Sequence, residues 1–137
     1  MNETIKLIEK IKQILIDYGT TQELSKLVNI YEKLALNLVF LWEEASKLKW
    51  DYNMKFYNRK INLSHSYLSN KAEKITDWQS LKMAEVTTAE DLKSELEAEA
   101  LVVRVENFRS QCNKVLEAIR SRISWEKSEK ERTKLDI

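Results

Sequence analysis

Residues 24–52 read LSKLVNIYEKLALNLVFLWEEASKLKWDY. Leu24, Leu27, Val28, Tyr31, Leu34, Ala35, Leu38, Trp42, Ala45, Leu48 and Tyr52 recur there at steps of three and four, with no Gly or Pro among them. That period is the apolar face of an α-helix. Phe56 and Tyr57 carry it on towards Ser64, so the spacing predicts one helix over 20–66, roughly 60–70 Å long at about 1.5 Å per residue. A rod of that length cannot bury its stripe alone, so it is expected to pair with another helix.

Upstream, Ile5, Ile8, Ile11, Leu15 and Tyr18 predict a short amphipathic helix over 1–19. Gly19 is its expected C-cap in the left-handed conformation, and Thr20 with Glu23 forms a capping box for the next helix. Downstream, residues 64–76 hold the densest cluster of turn and cap residues, so the reversal is placed there. Thr76 with Gln79 and Thr87 with Glu90 are two further capping boxes. The segment 67–87 then reads as turn and short helix, and 88–132 as a long C-terminal helix. Leu92, Leu96, Val103, Phe108, Cys112, Val115, Ile119 and Ile123 are its expected apolar face; Glu95, Glu97, Glu99, Arg104 and Arg109 are its expected wet one. The fold class is all-α: one helical domain over 1–137, a short N-terminal helix on a long antiparallel, coiled-coil-like hairpin. Trp42, Trp50, Trp78 and Trp125 on so slim a body predict that copies of the chain cover one another in a homo-oligomer.

Composition agrees. The 137 residues hold one Gly and no Pro, which argues against hairpin-rich β folds and Gly-rich phosphate loops. The beginning of the sequence alternates charges with isoleucines and lacks a signal-peptide stretch, and the most apolar piece, 34–42, is too short for a membrane span. A cytoplasmic protein with no membrane association is expected. Lone Cys112 has no disulfide partner and reads as a small buried apolar residue. His65 is the only histidine and has no acidic residue at metal-ligand spacing, so neither a metal, a cofactor nor an enzyme is expected.

Net charge is +1, but it is blocked along the chain. Residues 51–82 carry six cations and three acids, residues 83–107 two and seven, and residues 108–137 eight and five. Within the first block Lys55, Arg59, Lys60, Lys71 and Lys74 interleave with Tyr57, Tyr67 and Trp78. Cations that follow phosphates and aromatic faces that stack on free bases suit a single strand. The competing reading makes the aromatics hairpin core and the cations its solvated face. The C-terminal cations from Arg109 to Lys134 extend a basic surface or complement the helix end. The acidic block 85–99 suits a basic patch on a neighbouring subunit or partner.

The segment 83–122, MAEVTTAEDLKSELEAEALVVRVENFRSQCNKVLEAIRSR, resembles the C-terminal helix of the UvsY-like recombination mediators of T-even phages. The likeness is densest over 112–122, through Cys112, Leu116, Ala118, Ile119, Ser121 and Arg122. The resemblance implies a non-enzymatic, ring-forming homo-oligomer that binds single-stranded DNA and helps a strand-exchange recombinase displace single-strand-binding protein. The family's DNA-contacting cations fall opposite Asn62 and Ser64 here, and Arg59 and Lys60, about one turn earlier, are the nearest substitutes. The alternative function is a phage-encoded helical inhibitor or adaptor of a host complex, with no DNA binding of its own and the 85–99 helix mimicking nucleic-acid charge.

Overall fold

The computed structural model describes residues 2–21, 23–73 and 75–135. They form four helices, α1 (Asn2–Thr20), α2 (Leu24–Ala72), α3 (Asp77–Thr87) and α4 (Ala89–Leu135), with no strand among the described residues. The protein is all-α. The chain has two compact units: unit 1 comprises Met1–Glu44 and Val105–Ile137, unit 2 comprises Ala45–Arg104.

Unit 1 holds the larger core. Ile11 and Ile14 of α1, Leu27, Ile30, Leu34, Leu38 and Leu41 of α2, and Val105, Cys112 and Ile119 of α4 are buried. The sets Leu27, Leu34, Leu41 and Val105, Cys112, Ile119 each step by seven residues, the repeat that keeps one seam on a partner helix. In α1 the buried face is Thr4, Ile11 and Ile14, and Ile5 is exposed. Trp42, expected on the α2 stripe, is 54% exposed.

The junctions differ from the sequence expectation in instructive ways. Gly19 lies inside α1 without a positive φ, so it is not a left-handed cap. The Thr20 hydroxyl donates back to Asp17 O at 3.1 Å and that of Thr21 to the same carbonyl at 2.6 Å, so both close α1 and Thr20 does not open α2. Arg122 Nη2 donates to Thr21 O at 3.2 Å, which satisfies another carbonyl at that turn. α2 continues six residues past the expected end at 66, through Ser69 and Asn70 to Ala72. Cap-forming residues tolerate helix interiors when their side chains bond elsewhere, and Asn70 Nδ2 donates to Ser80 O at 3.2 Å.

Thr76 does cap α3, its hydroxyl accepting from Gln79 N at 3.2 Å. Thr87 does not open α4; its hydroxyl donates to Met83 O at 2.9 Å within α3. Thr88 marks that junction, and the ladder runs through it: Thr88 N donates to Ala84 O and Leu92 N to Thr88 O, both at 3.0 Å. Helices α3 and α4 therefore meet with little interruption.

Two outcomes are expected. A Cβ on Gly19 would meet nothing within 4 Å, so Gly19→Ala should raise unfolding free energy by about 0.5 kcal/mol, read from urea denaturation. Burial pushes the Cys112 thiol above its ordinary range. The folded state then keeps a proton that the unfolded thiol loses from about pH 8.5 upward, so this contribution is complete below that pH and lost above it. The fall in stability between pH 8 and 9.5 should be shallower in Cys112→Val than in the wild type.

Candidate nucleic-acid interface

The site lies in unit 2. Between Asp51 and Glu73, α2 carries Lys55, Arg59, Lys60 and Lys71 and no acidic residue. Opposite it, contacts step in opposite senses along the chain: Arg59 reaches Glu95, Asn62 Nδ2 donates to Asp91 Oδ2 at 3.1 Å, and Asn70 meets Ser80. The segments within this unit are antiparallel.

Arg59 is the anchor. Its Nε donates to Glu95 Oε2 and its Nη2 to Oε1 at 3.4 Å, a two-point contact of guanidinium and carboxylate. The Glu95 side chain is only 6% exposed and that of Arg59 19%. The hydrogen bond to Glu95 holds the Arg59 pKa above its ordinary value, with burial opposing it. Arg59 is thus committed inside the unit, and Glu95 is not on the wet face. With Glu95 turned inward, the part of the expected apolar face that falls in unit 2 is turned out: Leu92, Leu96 and Val103 are exposed, while Ala98 is buried.

The remaining cations are arranged by aromatic rings. Lys60 Nζ sits 5.0 Å from the Phe56 ring centroid and Lys71 Nζ 5.9 Å from that of Tyr67. On α3, Lys82 Nζ lies 6.0 Å from the Trp78 ring. Each pair is an aromatic residue followed four later by a lysine, and the pairs recur every eleven residues. Eleven residues are three turns plus about 20°, so Lys60 and Lys71 share a side of α2 about 16 Å apart. Exposed Lys49 is one further eleven-residue step back.

Lys55 Nζ lies 3.4 Å from Asp51 and Lys71 Nζ 3.5 Å from Asp77, both surface pairs that open readily. Tyr57 is exposed, edge-on to Phe56 at 5.6 Å, Tyr67 is half-buried and Trp78 exposed. Lys74 lies outside the described residues. Leu63, Ser64, Tyr67, Leu68, Asp77, Trp78 and Leu81 line an open, largely apolar groove of about 650 Å³. Among the described residues no group of three His, Cys, Asp or Glu is placed to hold a metal, and no helix is long and apolar enough to cross a membrane.

Removing one partner of the Arg59–Glu95 pair leaves an uncompensated, largely desolvated charge. Glu95→Ala should cost about 2 kcal/mol, the residual exposure of Arg59 keeping the loss below that of a fully buried pair. The double variant Arg59→Met/Glu95→Met should recover much of it in the same urea measurement. Compared with protein-family models, curated proteins and solved structures, the chain finds no match in any of the three.

Proposed function

We propose that the chain is a single-stranded DNA-binding protein of the cytoplasm whose copies self-associate and which assists a strand-exchange recombinase against single-strand-binding protein, as a recombination mediator does. The observation that carries the DNA part is the acid-free run of α2 in which Phe56–Lys60 and Tyr67–Lys71 repeat at eleven residues. A ring beneath an ammonium holds it in place at low entropic cost while leaving its donors turned outward. Lys60, Lys71 and Lys55 neutralise phosphates, with Lys74 beside them in the sequence, and Tyr57, Tyr67 or Trp78 offers a face to a base. Arg59 contributes through Glu95, by setting the helix pair that carries the ladder, and not by touching DNA. The mediator role rests on the resemblance of 83–122 and on no chemical step by this protein.

Repeated weak contacts from several copies add by avidity, so affinity per copy can be modest. Fluorescent oligo(dT) titrated at about 50 and 200 mM salt should bind tightly at the lower and far less at the higher, with a logarithmic slope near −0.7 per neutralised phosphate. Lys60→Glu/Lys71→Glu should weaken binding roughly tenfold or more and flatten that slope by about 1.4 for each copy engaged, with helix content unchanged. Absence of binding at low salt ends the DNA reading.

A second reading is favoured by the groove of Leu63, Leu68, Trp78 and Leu81, which suits an apolar helix of another protein. A host-protein adaptor of this kind would show no oligonucleotide binding and one stable heterocomplex, lost in Trp78→Ala. The charge-mimic form of that idea is weakened, because Glu95 is turned inward on Arg59 and Glu85 pairs with Lys82.

A further inference from the structure

Unit 2 is packed with its small residues inside. Its buried positions are Ala45, Ser80, Ala84, Thr88, Glu95 and Ala98, while twelve large apolar side chains of the same unit are exposed. Alanine contacts let helices approach closely but remove little apolar area from water, so such a unit gains from a covering surface.

The exposed side chains of α2 have an order. Trp50, Met54, Tyr57, Ile61 and Leu68 are 40–67% exposed and follow steps of four, three, four and seven, with Ser64 at the step between the last two. This is an a/d heptad seam free of charge for its whole length. The residues packed inward, Tyr52, Arg59 and Ser66, lie at the opposite f positions, so α2 is amphipathic twice over and only one seam is used within the chain.

We propose that a second copy of this chain covers the seam, α2 lying antiparallel on the partner's α2 with Trp50 opposite the partner's Leu68. The inference deepens the self-association proposed above and rests on it, but not on DNA binding. Three features select this occupant and register. Antiparallel pairing sets unlike sizes against each other, Trp50 on Leu68, Met54 on Ser64 and Tyr57 on Ile61, whereas parallel pairing stacks each residue on its own copy. It also places Asp51 beside the partner's His65 on one edge. The five side chains offer roughly 600 Å² per copy, and their flanks bring this close to the roughly 800 Å² of a standard specific interface. The contact is isologous, so one seam serves both copies.

On the other edge Lys60 meets the partner's Lys60, a like-charge contact that a bridging phosphate relieves. Tyr57 is then interior to the dimer, leaving Tyr67 and Trp78 as the faces for bases.

Light scattering of the full chain at about 100 μM, a concentration that populates even a micromolar dimer, should give at least twice the 16.2 kDa of one copy. Tyr57→Lys/Ile61→Lys should at least halve that mass with helical circular dichroism retained, since both side chains are exposed in the single copy. A monomeric wild type, its seam left for another protein, overturns the proposal, as does an assembly that the double variant leaves intact. Register is read independently with a short bismaleimide linker. Met54→Cys/Ser64→Cys should cross-link into covalent dimers, while Met54→Cys alone should not, because its two copies would lie about 15 Å apart along the axis. Cross-linking by the single variant overturns the antiparallel register. Oligo(dT) binding is scored separately, so a monomer that binds DNA removes the dimer alone, and a dimer that does not bind removes the DNA reading alone.

Discussion

An α-helix without Gly or Pro cannot turn back on itself, and α2 runs for 49 residues under that constraint. Each 3.6-residue turn presents side chains in every direction, so so long a helix meets different neighbours along its length. In unit 1 its Leu27, Leu34 and Leu41 row is buried in a core that also holds Ile11, Ile14, Val105, Cys112 and Ile119. In unit 2 the face turned inward holds half-buried Tyr52 and Arg59, and the Trp50-to-Leu68 seam is left to solvent. The candidate interface is a consequence of that second arrangement. Cations and aromatics are displayed because the unit's interior is too narrow to take them.

Arg59 and Glu95 show how one polar contact governs an apolar pattern. A carboxylate that is 94% covered is tolerable only when paired, and the guanidinium supplies two donors in the geometry a carboxylate accepts. Turning Glu95 inward fixes the rotation of α4, and that rotation carries Leu92, Leu96 and Val103 to the outside. The pair therefore occupies the Arg59 guanidinium within the unit, beside an apolar stripe that is exposed. Its net contribution to stability is modest, and its directional effect on the helix is the larger one.

The ladder of Phe56–Lys60, Tyr67–Lys71 and Trp78–Lys82 merges two readings that the residues alone set against each other, aromatics as core or as base platforms. Phe56 and Tyr67 are half-buried, with rings that both pack and carry an ammonium. A side chain so placed belongs to the scaffold and to the surface at once.

The helical nature of the chain, the absence of breakers through α2 and the Thr76 cap all follow from local chemistry, and residue order alone determines them. Helix period and capping act over a few residues, so they are legible in one dimension. The basic and aromatic composition of 51–82 was legible for the same reason, and so in principle was its eleven-residue pairing. Which stripe of a doubly amphipathic helix faces inward was not. Leu92 and Ala98 are both apolar, and the face of α4 that turns Glu95 towards Arg59 is the one on which Ala98 is buried and Leu92 is left exposed. That α2 runs on past Ser69 and Asn70 involves a tertiary neighbour, Ser80, whereas the continuous ladder through Thr88 is a local outcome that the residue types left open, because a hydroxyl or amide that can cap a helix can equally bond within one.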